Sequence, residues 1–322
     1  MITNEQLQTR IEEAIKNINY PQFPEGLYEP IAYVLEQGGK RLRPLLMLMS
    51  YCLFKDDFQM ALKPAIGLEM FHNFTLLHDD IMDKAELRRN KATVHKKWNE
   101  NTAILSGDAM MIMSFQYFYD LPLNIQAHVL KTFTQTALEV CEGQQYDMNF
   151  EAHQDVTIEE YMEMIRLKTA VLIAAALKIG AQIAEASEND ISLLYQIGIK
   201  MGLAFQLQDD YLDVYGDSQI FGKNIGGDIV ANKKTYLLIS ALNKANEIQK
   251  SKLEYILYNT IDREKKIKLV TALYNEIGIK DFTKSKINDL MQETLNLLDK
   301  ISVQKKISLI RNLIIKLLDR NN

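Results

Sequence analysis

Proline is what this chain lacks first. Its six prolines end at Pro122, and residues 123–322 hold none. Proline is the strongest helix breaker, so long uninterrupted helices are permitted there. Cysteine is nearly absent too: Cys52 and Cys141 have no metal-ligand spacing and are too few for a disulfide framework, which fits a reducing compartment. No apolar run reaches the roughly eighteen residues a membrane span needs, and the best candidate, Ala170 to Leu177, stops at Lys178. Basic charge is not in surplus. The chain has 37 Lys and Arg against 42 Asp and Glu, a net charge of −5, which argues against a nucleic-acid partner. The first residues, M-I-T-N-E-Q-L, lack the basic-then-apolar pattern of a secretory signal. Apolar–polar alternation, the mark of a strand, is missing throughout. The expectation is a soluble, cytoplasmic chain without a membrane span.

What is present is helical. Hydrophobic residues make up 47% and charged residues 25%, enough for an ordinary core and against disorder. Ile191, Leu194, Ile197, Gly198, Met201, Gly202, Phe205 and Gln208 follow three-and-four spacing, with Asn189 and Asp190 as candidate caps. Tyr161 to Ala186 reads as a second such helix, with Ala174, Ala175 and Ala176 suited to a tightly packed interior. Two glycine-bearing segments, 37–44 and 215–235, place cations beside flexible backbone and read as loops. The organisation expected is one all-α domain over residues 1–322. A helix and linker occupy about residues 1–30, and packing helices about 248–322.

Two acidic motifs carry the chemistry. Asp79-Asp80-Ile81-Met82-Asp83 ends one apolar stretch, and Asp209-Asp210-Tyr211-Leu212-Asp213 ends another. On a helix, residues i and i+4 project from one face with i+1 beside them, so each motif presents two aligned carboxylates and a third close by. Clustered carboxylates next to an apolar core repel one another unless cations neutralise them. All-oxygen ligands without cysteine select Mg²⁺ or Ca²⁺ over zinc, and no EF-hand loop is present to favour calcium. Mg²⁺ keeps waters and completes its shell with substrate phosphate, so a phosphate substrate is expected. Candidate phosphate-binding cations are Lys40, Arg43, Arg88, Arg89, Lys168, Lys223 and Lys233. The adjacent Arg88 and Arg89 suit bidentate phosphate contacts.

G-G-K-R-L-R-P at 38–44, H-D-D-I-M-D-K-A-E-L-R-R at 78–89, F-Q-L-Q-D-D-Y-L-D at 205–213 and G-K-N-I-G-G-D-I-V-A-N-K-K-T at 222–235 stand in that order. In this combination the chain resembles the trans-isoprenyl diphosphate synthases, the enzymes that make farnesyl, geranylgeranyl and longer polyprenyl diphosphates. The resemblance implies the isoprenoid synthase fold, a large antiparallel helical bundle around a deep cavity, and a homodimer. It implies that Asp79, Asp80, Asp83, Asp209, Asp210 and Asp213 hold three Mg²⁺ ions on an allylic diphosphate. Lys40, Arg43, His72 and Arg89 match positions that bind isopentenyl diphosphate. Arg88, Lys168, Lys223 and Lys233 match those that grip the allylic diphosphate. Thr169 and Gln206 match polar positions beside the reacting carbons, and Gln144 and Asp147 match a G-Q-x-x-D element of the same cavity.

The implied reaction is loss of diphosphate from the allylic substrate and attack of isopentenyl diphosphate on the resulting cation. In such enzymes, bulky residues upstream of the first motif set product length, which assigns that role to Phe71, Phe74 and Thr75. Phe74 lies five residues, about 7.5 Å along the axis, before Asp79. Its bulk, with the short Asp79–Asp83 spacing, favours a short all-trans product, geranylgeranyl over farnesyl diphosphate. A medium- or long-chain synthase, a terpene cyclase and a non-catalytic synthase subunit are the alternatives.

Overall fold

The protein is described by a computed structural model over residues 2–153, 155–216, 225–260 and 262–318. Side-chain caps open many of its helices. Thr3 accepts from the Gln6 amide at the start of α1 (Asn4–Lys16), and Asn99 accepts from the Thr102 amide at the start of α6 (Glu100–Gln116). Between them run α2 (Glu25–Glu36), α3 (Leu42–Phe54), α4 (Gln59–Met82) and the single turn α5 (Val94–Lys97). The proline-free region holds the two longest helices, α7 (Leu123–Ala152) and α10 (Glu188–Tyr215), of 30 and 28 residues. Pro30, Pro44 and Pro64 nevertheless lie inside α2, α3 and α4. All three fall within the first two turns; Pro44, the third residue of α3, gives up an amide that has no intrahelical partner anyway.

Two local expectations are revised. Helix α10 starts at Glu188, and the cap is Ser187: its hydroxyl accepts from the Asp190 amide at 3.1 Å and donates to the Asp190 carboxylate at 2.8 Å. Asp190 is thus the capped residue, its amide and carboxylate both bonded to the Ser187 hydroxyl, rather than the cap. The helix expected from Tyr161 is also interrupted. Following α8 (Ile158–Ile165), residues Arg166–Ala170 form a π turn before α9 (Val171–Ile183). The strand expectation needs one addition, a two-residue ladder pairing β1 (Leu87–Arg88) with β2 (Lys91–Ala92). Its turn is Arg89-Asn90, both at positive φ (52° and 61°), the arrangement tight hairpins require.

The chain divides into two compact units. The first comprises Met1–Thr134, Ala175–Leu194 and Ser302–Ile310. Its interior is built on α3, buried without a gap from Pro44 to Leu53, and on the middle of α4. A buried arginine, Arg41, is held there by Glu69 at 2.9 Å, Glu12 at 3.1 Å and the Leu35 carbonyl at 2.5 Å; without such partners the charge could not be desolvated.

The second unit comprises Gln135–Ala174, Tyr195–Ile301 and Arg311–Asn322. It includes α11 (Gly227–Val230), α12 (Tyr236–Lys244), α13 (Glu247–Asn259), α14 (Arg263–Ile277) and α15 (Ile279–Leu298). Its core gathers Leu237, Leu238, Leu253, Val270 and Leu273 around Val214 and Ile229. The last helix, α16 (Ser308–Leu318), follows a short 3₁₀ turn at Gln304–Lys306. Among the described residues no helix is long and apolar enough to cross a membrane.

Candidate active site

Both acidic motifs sit at the C-terminal ends of long helices. Asp79 and Asp80 occupy the last turn of α4 and Asp83 is its C-cap; Asp213 lies in the last turn of α10, with Asp209 and Asp210 one turn earlier. A helix C-terminus carries partial negative charge and favours cations. Carboxylates there oppose the local field, so the arrangement costs stability and is suited to capturing positive charge.

Within each motif the middle aspartate is set apart. Asp80 and Asp210 are both 5% exposed, whereas Asp79, Asp83 and Asp213 are more open. Both oxygens of Asp80 accept from Arg88 Nε, at 2.8 and 2.9 Å. Burial raises the Asp80 carboxyl and Arg88 pulls it back down. Asp210 has no such arginine. Its Oδ2 accepts from the Tyr161 hydroxyl and its Oδ1 from Gln206 Nε2 at 3.1 Å. Burial pushes its pKa up to about 7, with Tyr161 opposing. Asp213 holds the segment that carries Lys233: its Oδ2 accepts from the Asp228 amide at 3.0 Å and its carbonyl from the Gly226 amide at 2.6 Å.

In the first unit the expected isopentenyl diphosphate ligands come together. Arg43 Nη1 lies 2.9 Å from His72 Nε2. Arginine can only donate, so this nitrogen accepts and the imidazole proton resides on Nδ1. Burial, then Arg43, Arg89, Arg88 and Arg41, hold His72 well below its ordinary pKa, and the ring is neutral. Arg43 itself is lowered to about 10 by burial, and its Nε is buried without a hydrogen-bond partner. Arg89 donates to the Gly38 carbonyl. Gly39 sits at φ 134°, backbone that glycine adopts without strain, and the Arg89 guanidinium lies against it. Lys40 follows on the exposed edge of the same loop. Phe71 and Phe74 are buried with ring centroids 5.4 Å apart, and Phe71 meets Phe133 edge to face at 5.2 Å. The Thr75 hydroxyl donates back to the His72 carbonyl.

In the second unit the π turn presents Lys168 and Thr169. Lys168 Nζ donates to Asp147 at 2.5 Å, and Thr169 Oγ1 donates to Gln206 Oε1 at 3.0 Å. Gly143 makes this approach possible, since a Cβ would lie 2.3 Å from the Lys168 amide nitrogen. That explains the glycine of the G-Q-x-x-D element that also supplies Asp147. Lys233 is close enough to Asp210 to lower its pKa. Its segment is fastened by Lys266 of α14, a buried lysine donating to the Val230 carbonyl at 3.2 Å. Lys223 lies outside the described residues.

Three residues that shape the site are not legible in the motifs: Tyr161, Lys266 and His95. Both ring nitrogens of His95 are buried with no hydrogen-bond partner, and its charge would favour ionised Asp80. Among the described residues no three carboxylate, histidine or cysteine side chains are gathered as a ready-made metal cage. The six aspartates offer oxygen donors alone, the chemistry that Mg²⁺ takes while completing its shell with water and phosphate. A separate cavity of about 480 Å³, lined by Ile18, Leu62, Lys63, Met113 and Tyr117 among others, touches none of these residues.

Residues 24–277 match the polyprenyl synthetase family model. The chain is 40% identical over 269 residues to a short chain isoprenyl diphosphate synthase of Methanocaldococcus jannaschii, covering 83% of this chain and 81% of that protein. It is 37% identical over 257 residues to a geranylfarnesyl diphosphate synthase of Natronomonas pharaonis, covering 74% and 75% of the two chains. A crystal structure of a geranylgeranyl pyrophosphate synthase superposes with a TM-score of 0.95 at 42% identity, with both chains fully covered. The chain belongs to the polyprenyl synthetase family and is an all-α trans-prenyltransferase.

Proposed function

We propose that the protein condenses isopentenyl diphosphate head-to-tail with an allylic diphosphate, whether dimethylallyl, geranyl or farnesyl, giving a short all-trans product and free diphosphate. Geranylgeranyl diphosphate is the product favoured by Phe74, with farnesyl diphosphate second. The observation that carries the reading is Arg43. An arginine whose buried Nε has no hydrogen-bond partner, beside a neutral histidine and within the field of three further arginines, with Glu69 the carboxylate that acts on it from nearby, is a site with cationic donors to spare for an anion.

In this reading Lys40, Arg43 and Arg89 hold the diphosphate of isopentenyl diphosphate. His72, whose Nε2 is committed to Arg43, offers its Nδ1–H to the same group. Lys168, Lys233 and Lys223 grip the allylic diphosphate, with Arg88 serving both it and Asp80. The six aspartates hold Mg²⁺, which when bound supplies Lewis-acid stabilisation to the departing diphosphate. Thr169 and Gln206 turn oxygen atoms toward the electron-poor allylic carbon and are fixed by their mutual hydrogen bond. Apolar walls exclude water from the cation, and Phe74 then Phe71 stop the growing chain. The proton released on bond formation leaves with the diphosphate, so no strong protein base is required.

The test is incubation of the purified chain with Mg²⁺, labelled isopentenyl diphosphate and each allylic primer in turn. Chromatography of the dephosphorylated alcohols is expected to show a C20 alcohol, with C15 as the minor species. No elongated alcohol from any primer would contradict the reaction. A C25 alcohol, the length implied by the name of the Natronomonas relative, would correct only the product.

A further inference from the structure

Tyr161 is one of the largest fully buried side chains, and its hydroxyl is the only part of it with a polar task. The hydroxyl donates to Asp210 Oδ2, while Gln206 Nε2 donates to Asp210 Oδ1 at 3.1 Å and Gln206 Oε1 accepts from Thr169 at 3.0 Å. The four side chains form one line from α8 through α10 to the π turn. Each bond fixes the next: the donor on Oδ2 settles the carboxylate plane, the carboxylate settles which way the Gln206 amide faces, and the amide oxygen settles the Thr169 proton. A carboxylate offers about four acceptor directions, and these contacts use two of those of Asp210.

The geometry points to Tyr161 as a positioning residue of the second aspartate motif. It touches neither substrate nor metal, and it acts through Asp210 on Mg²⁺-dependent diphosphate binding and through Gln206 on the reacting end. The first motif gets the same service from Arg88, a charged side chain supplied by a hairpin. The second gets it from a neutral phenol that adds no positive charge of its own. Loss of a group that orients a metal-binding carboxylate commonly costs about 10- to 100-fold in metal affinity or activity.

This inference rests on the assignment of Asp210 to the diphosphate site, and the test separates the two. Binding of inorganic pyrophosphate with Mg²⁺ is measured by calorimetry for the unaltered protein, Tyr161→Phe and Tyr236→Phe. Tyr236 is the neighbouring buried ring, 6.4 Å from Tyr161; its variant controls for loss of a hydroxyl from a buried tyrosine. The expected result is binding about 10- to 100-fold weaker for Tyr161→Phe, unchanged binding for Tyr236→Phe, and an unchanged KM for isopentenyl diphosphate in Tyr161→Phe. The effect should also vanish in an Asp210→Asn background, as coupled neighbours require. Unaltered binding in Tyr161→Phe, or an equal loss in both backgrounds, would overturn the role of Tyr161 alone. Absence of Mg²⁺-dependent pyrophosphate binding in the unaltered protein would overturn the site assignment and this inference with it.

Discussion

The two aspartate motifs share one spelling and differ in what holds them. At the first, Asp80 meets a guanidinium on both oxygens, and the nearby cations Arg41, Arg43 and Arg89 crowd around a neutral His72. At the second, Asp210 meets a phenol and an amide, and burial pushes its pKa up to about 7. Sequence spacing makes the motifs look interchangeable. Their surroundings make the first a charged pair already partly neutralised, and the second a carboxylate held by neutral donors, whose pKa burial raises and Tyr161, Gln206 and Lys233 oppose.

The sharpest way to break that comparison is to delete the first carboxylate of each motif. Asp79→Ala and Asp209→Ala are each expected to lower turnover by about 10²- to 10³-fold, the scale of removing a major electrostatic contact from a transition state, with helical circular dichroism retained. Near-normal turnover in either would show that its motif is not part of the machinery. Next in size, Arg88→Gln leaves Asp80 buried without its cation and should cost about 1–3 kcal/mol in urea unfolding of the metal-free protein. Tyr161→Phe should cost less, because it removes a neutral donor and Gln206 remains; equal or reversed costs would erase the distinction between the motifs.

A third effect concerns pH. Asp210 holds its proton more tightly folded than unfolded, so its contribution to stability is full below its ordinary value of 3.8 and is lost as pH rises through about 7. Metal-free protein should therefore lose up to about 1.4 kcal/mol per pH unit across that window from this group. Asp210→Asn should remove that component, and an identical pH profile in the variant would contradict it. The smallest effect on rate is expected from Phe74→Ala, which acts on product length and not on either motif. It should lengthen the alcohols by chromatography at similar turnover, and an unchanged product spectrum would remove Phe74 from the gauge.

How much of this was legible follows from where the causes lie. The aspartates and the glycine-bearing segments are local patterns that spacing places at the ends of apolar stretches and in loops, whereas the roles of Lys168 and Thr169 follow only from the family resemblance. The π turn at Arg166–Ala170 is not local. It is accommodated by the missing Cβ of Gly143 on another helix, and nothing in its own five residues marks it. Tyr161 escaped because its partner, Asp210, is 49 positions away and its neighbours give it an ordinary core pattern. Arg41 and Arg43 sit two residues apart in the same motif, yet one is spent inside the protein on Glu69 and Glu12 while the other keeps an unpartnered nitrogen. Only packing separates them. The chemically plain C-terminal helices likewise supply Lys266, which fastens the Lys233 segment through a backbone carbonyl that no sequence pattern names.

The central claim of the proposed function is that each aspartate motif is needed for Mg²⁺-dependent binding of diphosphate. Calorimetric titration with a bisphosphonate mimic tests it most directly, in the presence and absence of Mg²⁺, for the unaltered protein, Asp79→Ala and Asp209→Ala. Tight binding that requires Mg²⁺ and is lost in both variants is the predicted result; binding that persists without Mg²⁺, or survives loss of either aspartate, would contradict it.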